Sequence, residues 1–328
     1  FNNITGNSNV AMGIGALYRN TNRSNLVAIG DSALYNNGVG AVNSEAIGNT
    51  AVGSKALYSN TKGYGNIANG SGALYSNTTG IYNTANGKDA LYSNTIGSGN
   101  TANGKSALYS NTIGGTNTAN GESALYFNTT GDGNTANGFR ALKFNTTGGG
   151  NTANGLFALS GNTTGSINTA NGYYALYLNS TGNYNIANGY TALYGNSTGS
   201  YNIGVGIDAG YYDIPTEDNQ IAIGKSTGTG GANKAIIGNS SQWWIGGQVA
   251  WSAISDARIK EQVQADVPGL SFIKELRPVT YHLNIHKQKE IMDRLLGDKA
   301  KTDTMPDWEG KYDIEKIRMT GFLAQEVE

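Results

Sequence analysis

Hydrolysis of a glycosidic bond needs two positioned carboxyl groups. Residues 1–206 offer only Asp31, Glu45, Asp89, Glu122 and Asp132, scattered along the chain. Asp31 and Glu122 share a place in a repeating pattern but stand several repeats apart, so no acid–base pair is expected from them. The two histidines, His282 and His286, fall on one face of "YHLNIH" if that stretch is a strand. Association of three chains would gather six imidazoles there, but structural or solvent-facing histidines fit the spacing as well. No metal and no cofactor is expected. Cysteine is absent, which excludes disulfides and leaves the redox compartment unread. The 48 glycines follow a fixed period and no Lys-Ser/Thr closes them, so they do not read as phosphate loops. A net charge of −1 points to neither nucleic acid nor an anionic membrane surface. No apolar run approaches the ~20 residues of a membrane helix, so membrane insertion is not expected.

Any reactive or binding group must instead be placed by one phrase written over and over. "NTANGKSALYSNTIGGT" starts at Asn100, and edited copies start at Asn49, Asn66, Asn83, Asn117, Asn134, Asn151, Asn168, Asn185 and Asn202, 17 residues apart. Two earlier copies start at Asn9 and Leu26, with a short insertion, "GVGAVN", before the third. The consensus is N-x-A-x-G-x-x-A-L-Y-x-N-[TS]-[TSI]-G-x-x. Glycine at the fifth position, from Gly13 to Gly206, suggests positive φ or close backbone approach. The "NTTG" segment reads as a turn in which Asn bonds its own backbone and Gly supplies an unusual dihedral.

One Leu and two Ala per copy cannot make a globular core alone. They can if rungs stack so that each Leu sits on the next. Twelve rungs at ~4.8 Å would span roughly 58 Å. Asn at the first and fourth positions would form amide ladders, and Tyr18, Tyr35, Tyr58, Tyr75, Tyr92, Tyr109 and Tyr126 an aromatic one. The expected fold is mainly β: a parallel β-solenoid or β-roll, with room for a short helical turn at "SALY". Seventeen residues are too few for a helix pair, and recurrent Gly and Asn oppose long helices. So thin a core favours association of several chains about one axis.

Composition divides the chain into a shaft, 1–206, with eight Lys/Arg and five Asp/Glu; a Gly-rich β transition region, 207–250, with Trp243 and Trp244; and residues 251–328, with twelve Lys/Arg and fourteen Asp/Glu. Within the shaft the sixth and seventh repeat positions change character. They are polar or charged at Lys88, Asp89, Lys105, Ser106, Glu122 and Ser123, then aromatic or apolar at Phe139, Leu156, Phe157, Tyr173, Tyr174 and Tyr190. Variable positions of a solenoid usually face outward. Phe139, Phe157, Tyr173, Tyr174 and Tyr190 are therefore candidate binding residues for sugar rings or a partner, or else places where chains of a trimer touch.

"NLVAIGDSAL" (25–34), "NSEAIGNTAV" (43–52) and "NTAVGSKAL" (49–57) resemble the N-S-V-A-I-G-x-x-S repeat of trimeric autotransporter adhesin heads. That resemblance implies a left-handed parallel β-roll of three chains. Further on, Ser255, Asp256, Arg258 and Lys260, then "LRPVTYHL" (276–283) and "GFLAQEVE" (321–328), resemble the endosialidase-type intramolecular chaperone of phage tail spikes and fibres. The resemblance implies a small α+β domain over 251–328 that trimerises, templates folding of the shaft and often cuts itself off before the motif serine. The family continues into a helical tail after this point, so the module reads as C-terminally incomplete. By carry-over, Ser255 would be the nucleophile and Lys260 its base, with the scissile bond between Ile254 and Ser255. Ser255 would equally serve as a helix N-cap.

The expected protein is an extracellular, homotrimeric, adhesive fibre on a virion, an injection particle or a bacterial surface. Its expected partners are itself, a cell-surface glycan or receptor, and a baseplate. A filament without a receptor, or a self-cleaving enzyme with the shaft as cargo, are the alternatives.

Overall fold

Alternation within each copy puts the alanine of "NTAN" on the opposite side from its neighbours, and that three-residue stretch is the strand. The computed structural model describes residues 2–211 and 215–241, together with two short strands further on. The first strands are β1 (Val10–Met12), β2 (Val27–Ile29) and β3 (Thr50–Val52), and the series continues once per copy to β12 (Ile203–Val205). It does not stop there: β13 (Ile221–Ile223) and β14 (Ala235–Ile237) extend the same parallel sheet to fourteen strands in sequence order. Each residue pairs with its equivalent one copy on, as in Thr118↔Thr135, Ala119↔Ala136 and Asn120↔Asn137. Thirteen steps of ~4.8 Å make an axis of roughly 62 Å. The molecule is a parallel β-solenoid, and no helix occurs among the described residues.

The insertion leaves this register intact, because β2 still pairs residue for residue with β3, Val27↔Thr50 to Ile29↔Val52. The extra chain passes beside the buried Arg23, whose Nη1 donates to the Asn43 carbonyl at 2.7 Å and whose Nη2 donates to that of Ala41. A loop added at a rung edge leaves the strand pairing intact, and its cost falls on the turn asparagines: Asn37 Nδ2 donates to the Ala46 carbonyl, and Asn20 Oδ1 is left buried without a partner.

From the second copy to the eleventh, each copy buries its two alanines and the leucine of "AL". Twelve leucines, from Leu17 to Leu193, are fully enclosed within one chain. The "ALY" turn is not helical. Eleven of these leucines, Leu17 and then Leu34 through Leu193, hold φ between 50° and 53°, in the left-handed region. That conformation costs roughly 1–2 kcal/mol for an L-residue. Burying a leucine returns about 1.5–3 kcal/mol, and the Leu108 N–H also donates to the Ala124 carbonyl of the next rung at 3.0 Å. Burial and the ladder bond therefore outweigh the strain, and the reversal aims the side chain inward where glycine would leave a hole.

Two glycine columns let rungs approach. Gly104 has φ +136°, and a Cβ there would stand 2.6 Å from the Gly121 carbonyl oxygen of the next rung. The glycine of "NTTG" serves a different purpose from the one expected. It has no left-handed φ; at Gly114 a Cβ would lie 2.5 Å from the Gly131 oxygen and 2.6 Å from Asn111 Oδ1. Space, not dihedral freedom, requires it.

Three amide ladders run along the shaft. In the first, Asn117 donates from its backbone N–H to Asn100 Oδ1 at 2.9 Å and from Nδ2 at 3.2 Å. In the fourth-position ladder, Asn103 Nδ2 donates to Asn120 Oδ1 at 2.8 Å, and equivalent bonds join Asn86 through to Asn188. The third ladder uses the turn asparagine: Asn111 Nδ2 donates to Asn94 Oδ1 and to the Gly114 carbonyl, both at 2.8 Å. Asn100 Nδ2 reaches that same carbonyl at 2.8 Å, so each rung closes a small polar knot. The sequons at Asn77, Asn128, Asn145, Asn162 and Asn179 place their asparagines in this fully buried column, and Asn196 is buried there too.

Cα proximity separates the chain into two units, residues 1–246 and 247–328. In the second, β15 (Val279–Tyr281) pairs antiparallel with β16 (Met319–Gly321), so "LRPVTYHL" meets the stretch that opens "GFLAQEVE". Ser255, Lys260, His282, His286, Trp243 and Trp244 lie outside the described residues.

Candidate binding surface

Directly after each strand the glycine with positive φ turns the chain, and the sixth side chain is left outward. The seventh residue adopts φ near 55° at Asp89, Arg140 and Tyr174, which lays it beside the tenth-position column. The expected tyrosine ladder occupies that column. Its seven rings, Tyr18 to Tyr126, stack at 4.9–5.2 Å with interplanar angles of 4–17°. Such offset stacks add about 0.5–1.5 kcal/mol per pair beyond burial. Lys143 and Ser160 interrupt the column, which then resumes as Tyr177, Tyr194 and Tyr211.

Beside that interruption the five candidate residues come together. Phe139 meets Phe157 edge-on at 5.5 Å, Phe157 stacks on Tyr174 at 5.0 Å, Tyr174 meets Tyr173 edge-on at 4.4 Å, and Tyr173 stacks on Tyr190 at 5.3 Å. Tyr173 and Tyr190 remain 42% and 53% exposed, so the cluster is open to the outside of the single chain. Tyr177 and Tyr194 join it through Tyr174, at 4.7 Å and 6.1 Å. Phe127 and Phe144 stack at 5.4 Å on its other flank. Sequence reasoning did not single out these last four; for Phe127 and Phe144 the signal was present in the eleventh position, where serine gives way to them and to Leu178, and for Tyr177 and Tyr194 in the tenth.

Charge changes along the same face. Lys88 lies 4.0 Å from Asp89, and Lys105 lies 3.3 Å from Glu122 on the next rung. Arg140 and Lys143 have rings instead: the Arg140 guanidinium carbon is 4.7 Å above Phe139, and Lys143 Nζ is 4.8 Å above Phe144. Burial in the stack pushes the Tyr174 phenol upward from its ordinary value, with Tyr173 adding to the effect. Burial first, then Tyr211 and Tyr177, does the same for Tyr194. Among the described residues no group of three or more acidic, His or Cys side chains could hold a metal. Asp31 and Glu122, which share the sixth repeat position, stand on the second and seventh rungs.

Residues 255–328 match the model of the family described as the chaperone of endosialidase. No curated protein and no solved structure matches the chain. A β-solenoid of 17-residue rungs followed by such a domain fits a tail-fibre-type protein: a structural fibre that carries its own chaperone domain. No helix among the described residues is long and apolar enough to cross a membrane.

Proposed function

We propose that this chain is the shaft and folding module of a homotrimeric attachment fibre, displayed outside the cell on a virion, an injection particle or a bacterial surface. The observation that carries the reading is the uninterrupted register from β1 to β14 in a chain that then enters a chaperone-of-endosialidase domain. Until rungs stack, each exposes open strand edges that invite wrong pairing, and the terminal rung keeps one throughout. A C-terminal domain that holds three chains together would supply a template at one end. The leucine core closes within one chain, so the trimer is needed for folding and rigidity rather than to complete the core.

The aromatic cluster around Tyr173 and Tyr190 is the receptor surface in this reading, with a cell-surface glycan as the partner. Exposed, rigid, stacked rings offer apolar area at small conformational cost, which suits the flat faces of sugars. Ser255 and Lys260 are proposed as nucleophile and base for release of the chaperone domain before Ser255. A lysine serves as base only if desolvation lowers its pKa.

The test is the mass of the purified full chain under native and denaturing conditions, with and without Ser255→Ala. A native trimer whose chain breaks at Ile254–Ser255 only when Ser255 is present supports both halves of the proposal. A trimer intact in both forms keeps the fibre and removes self-cleavage. A monomer sinks the trimeric fibre.

A further inference from the structure

Between residues 133 and 207 the chain carries two charged side chains, Arg140 and Lys143, and both are positive. They occupy the seventh and tenth positions of one rung, residues 134–150, on the face that holds the rings. Earlier on the shaft Lys62, Lys88 and Lys105 each have a carboxylate within 4.0 Å, whereas Arg19, Arg23 and Lys55 have none among the described residues. Neither Arg140 nor Lys143 has one among the described residues, and the carboxylate of the preceding rung, Glu122, is engaged by Lys105 at 3.3 Å.

The fold does not ask for these cations. Glycine, serine, aspartate, phenylalanine, tyrosine and threonine fill the Arg140 column elsewhere, with Lys55 its one other cation among the twelve copies, and the Lys143 column holds tyrosine on every other copy except that of Ser160. Lys143 breaks the tyrosine ladder after Tyr126, so a ring contact made on every earlier rung is forgone there. The guanidinium lies over Phe139 at 4.7 Å and Phe157 at 5.8 Å, and its Nε is enclosed without a hydrogen-bond partner. Its donors are therefore not spent on the protein. With Nε enclosed, the Nη edge of the guanidinium is the part left for a carboxylate, sulfate or phosphate. Lys143 adds a second positive charge, 4.8 Å above Phe144 and 6.0 Å from Phe127.

We propose that this rung is an anion subsite: it binds the acid group of a saccharide whose ring faces lie on the neighbouring aromatic side chains. The proposal rests on the reading of the aromatic face as a receptor surface and narrows its ligand to an acidic sugar polymer. Uronate and sulfate esters share the required chemistry.

The experiment titrates the full chain with oligogalacturonate, with sulfated dextran oligomers and with neutral dextran oligomers, at two salt concentrations. Wild type is expected to prefer one or both acidic probes, more weakly as salt rises, and the preferred probe tells carboxylate from sulfate. The Arg140→Gln/Lys143→Gln double variant is expected to lose about tenfold or more of that affinity, the scale of a charged hydrogen bond. Lys143→Tyr extends the ladder by one ring beyond Tyr126, with Ser160 still breaking it on the next rung. The variant should melt no lower than wild type while binding the acidic probe less well, whereas a merely structural Lys143 would show a lowered melting temperature.

Equal affinity of wild type for acidic and neutral probes, or unchanged acidic binding in the double variant, overturns the anion subsite. In that case the receptor surface stands if Tyr173→Ala/Tyr190→Ala weakens neutral binding. If wild type binds none of the three probes, both readings fall.

Discussion

The rungs from Asn49 to Gly133 and those from Asn134 to Tyr201 share one backbone, the same buried Leu and Ala columns and the same asparagine ladders, yet their outer faces differ. On the first set a single file of tyrosines runs beside compensated charges, Lys88 with Asp89 and Lys105 with Glu122. On the second the file breaks, rings spread over the sixth, seventh and eleventh positions, and the two cations lack carboxylates. Columns in which every rung must satisfy its neighbour are fixed by the stack. Columns that face water are free to vary, and specificity can be written there without touching the fold.

That contrast can be broken most severely through the fixed columns. Gly104→Ala places a Cβ 2.6 Å from the Gly121 oxygen at a φ of +136°. Strain and overpacking together should cost on the order of 3–5 kcal/mol. The shaft should then lose hydrogen-exchange protection on the rungs to either side of Gly104. Protection equal to wild type would mean that the rungs are less tightly spaced than described. Asn111→Ala comes next. It removes the donor to Asn94 Oδ1 and leaves that buried acceptor unpaired at about 1–3 kcal/mol, while Asn128 Nδ2 keeps the Gly131 carbonyl and the Gly114 carbonyl keeps Asn100 Nδ2. A melting temperature within a degree of wild type would rule out a buried amide ladder.

In the free columns the expected effects are smaller. Tyr173→Ala should change stability by about 1–2 kcal/mol, because one stacked and one edge-on ring contact are lost from a side chain that is 42% exposed. A large loss would place Tyr173 in an interface between chains rather than on a free face. Alkali should not distinguish the two sets. Burial, then Tyr75, Tyr109 and Asp89, raises the phenol of Tyr92, and Tyr174 and Tyr194 are raised on the other set. A phenol whose folded value is raised holds its proton longer in the stack than in the unfolded chain. Its contribution is complete below about pH 10 and is lost as pH climbs through the raised folded value. Thermal melts should be level up to about pH 9 and fall above pH 10 on both sets of rungs.

Much of this was legible before any coordinates. Strict spacing gave the parallel register, the leucine file, the tyrosine file and two of the three asparagine ladders. What stayed hidden follows from what a periodic sequence can and cannot encode. Leu108 holds a left-handed φ that residue type would assign to glycine, because the core needs the side chain more than the backbone needs freedom. Asn111 looked like a local turn residue, since its bond to Gly114 is local, while its bond to Asn94 spans a rung. Gly114 was read as a dihedral choice, yet only the neighbouring rung reveals the collision it avoids. The strands β13 and β14 were not counted as rungs because the phrase erodes there and the spacing changes, Ile203↔Ile221 and then Ile221↔Ala235. The ring cluster could be anticipated as a list of positions; its edge-on and stacked contacts required the turn geometry of the seventh residue.

The turn asparagines carry one more consequence. Asn77, Asn128, Asn145, Asn162 and Asn179 each head an acceptor triplet for N-linked sugar, and each commits its Nδ2 to the enclosed amide column. A side chain cannot both bear an oligosaccharide and seat itself there. If the chain were made in a secretory pathway, closure of each rung and attachment of sugar would compete for the same nitrogen. The fraction of sites modified would then act as a clock, recording how long each stretch of shaft waited before it stacked.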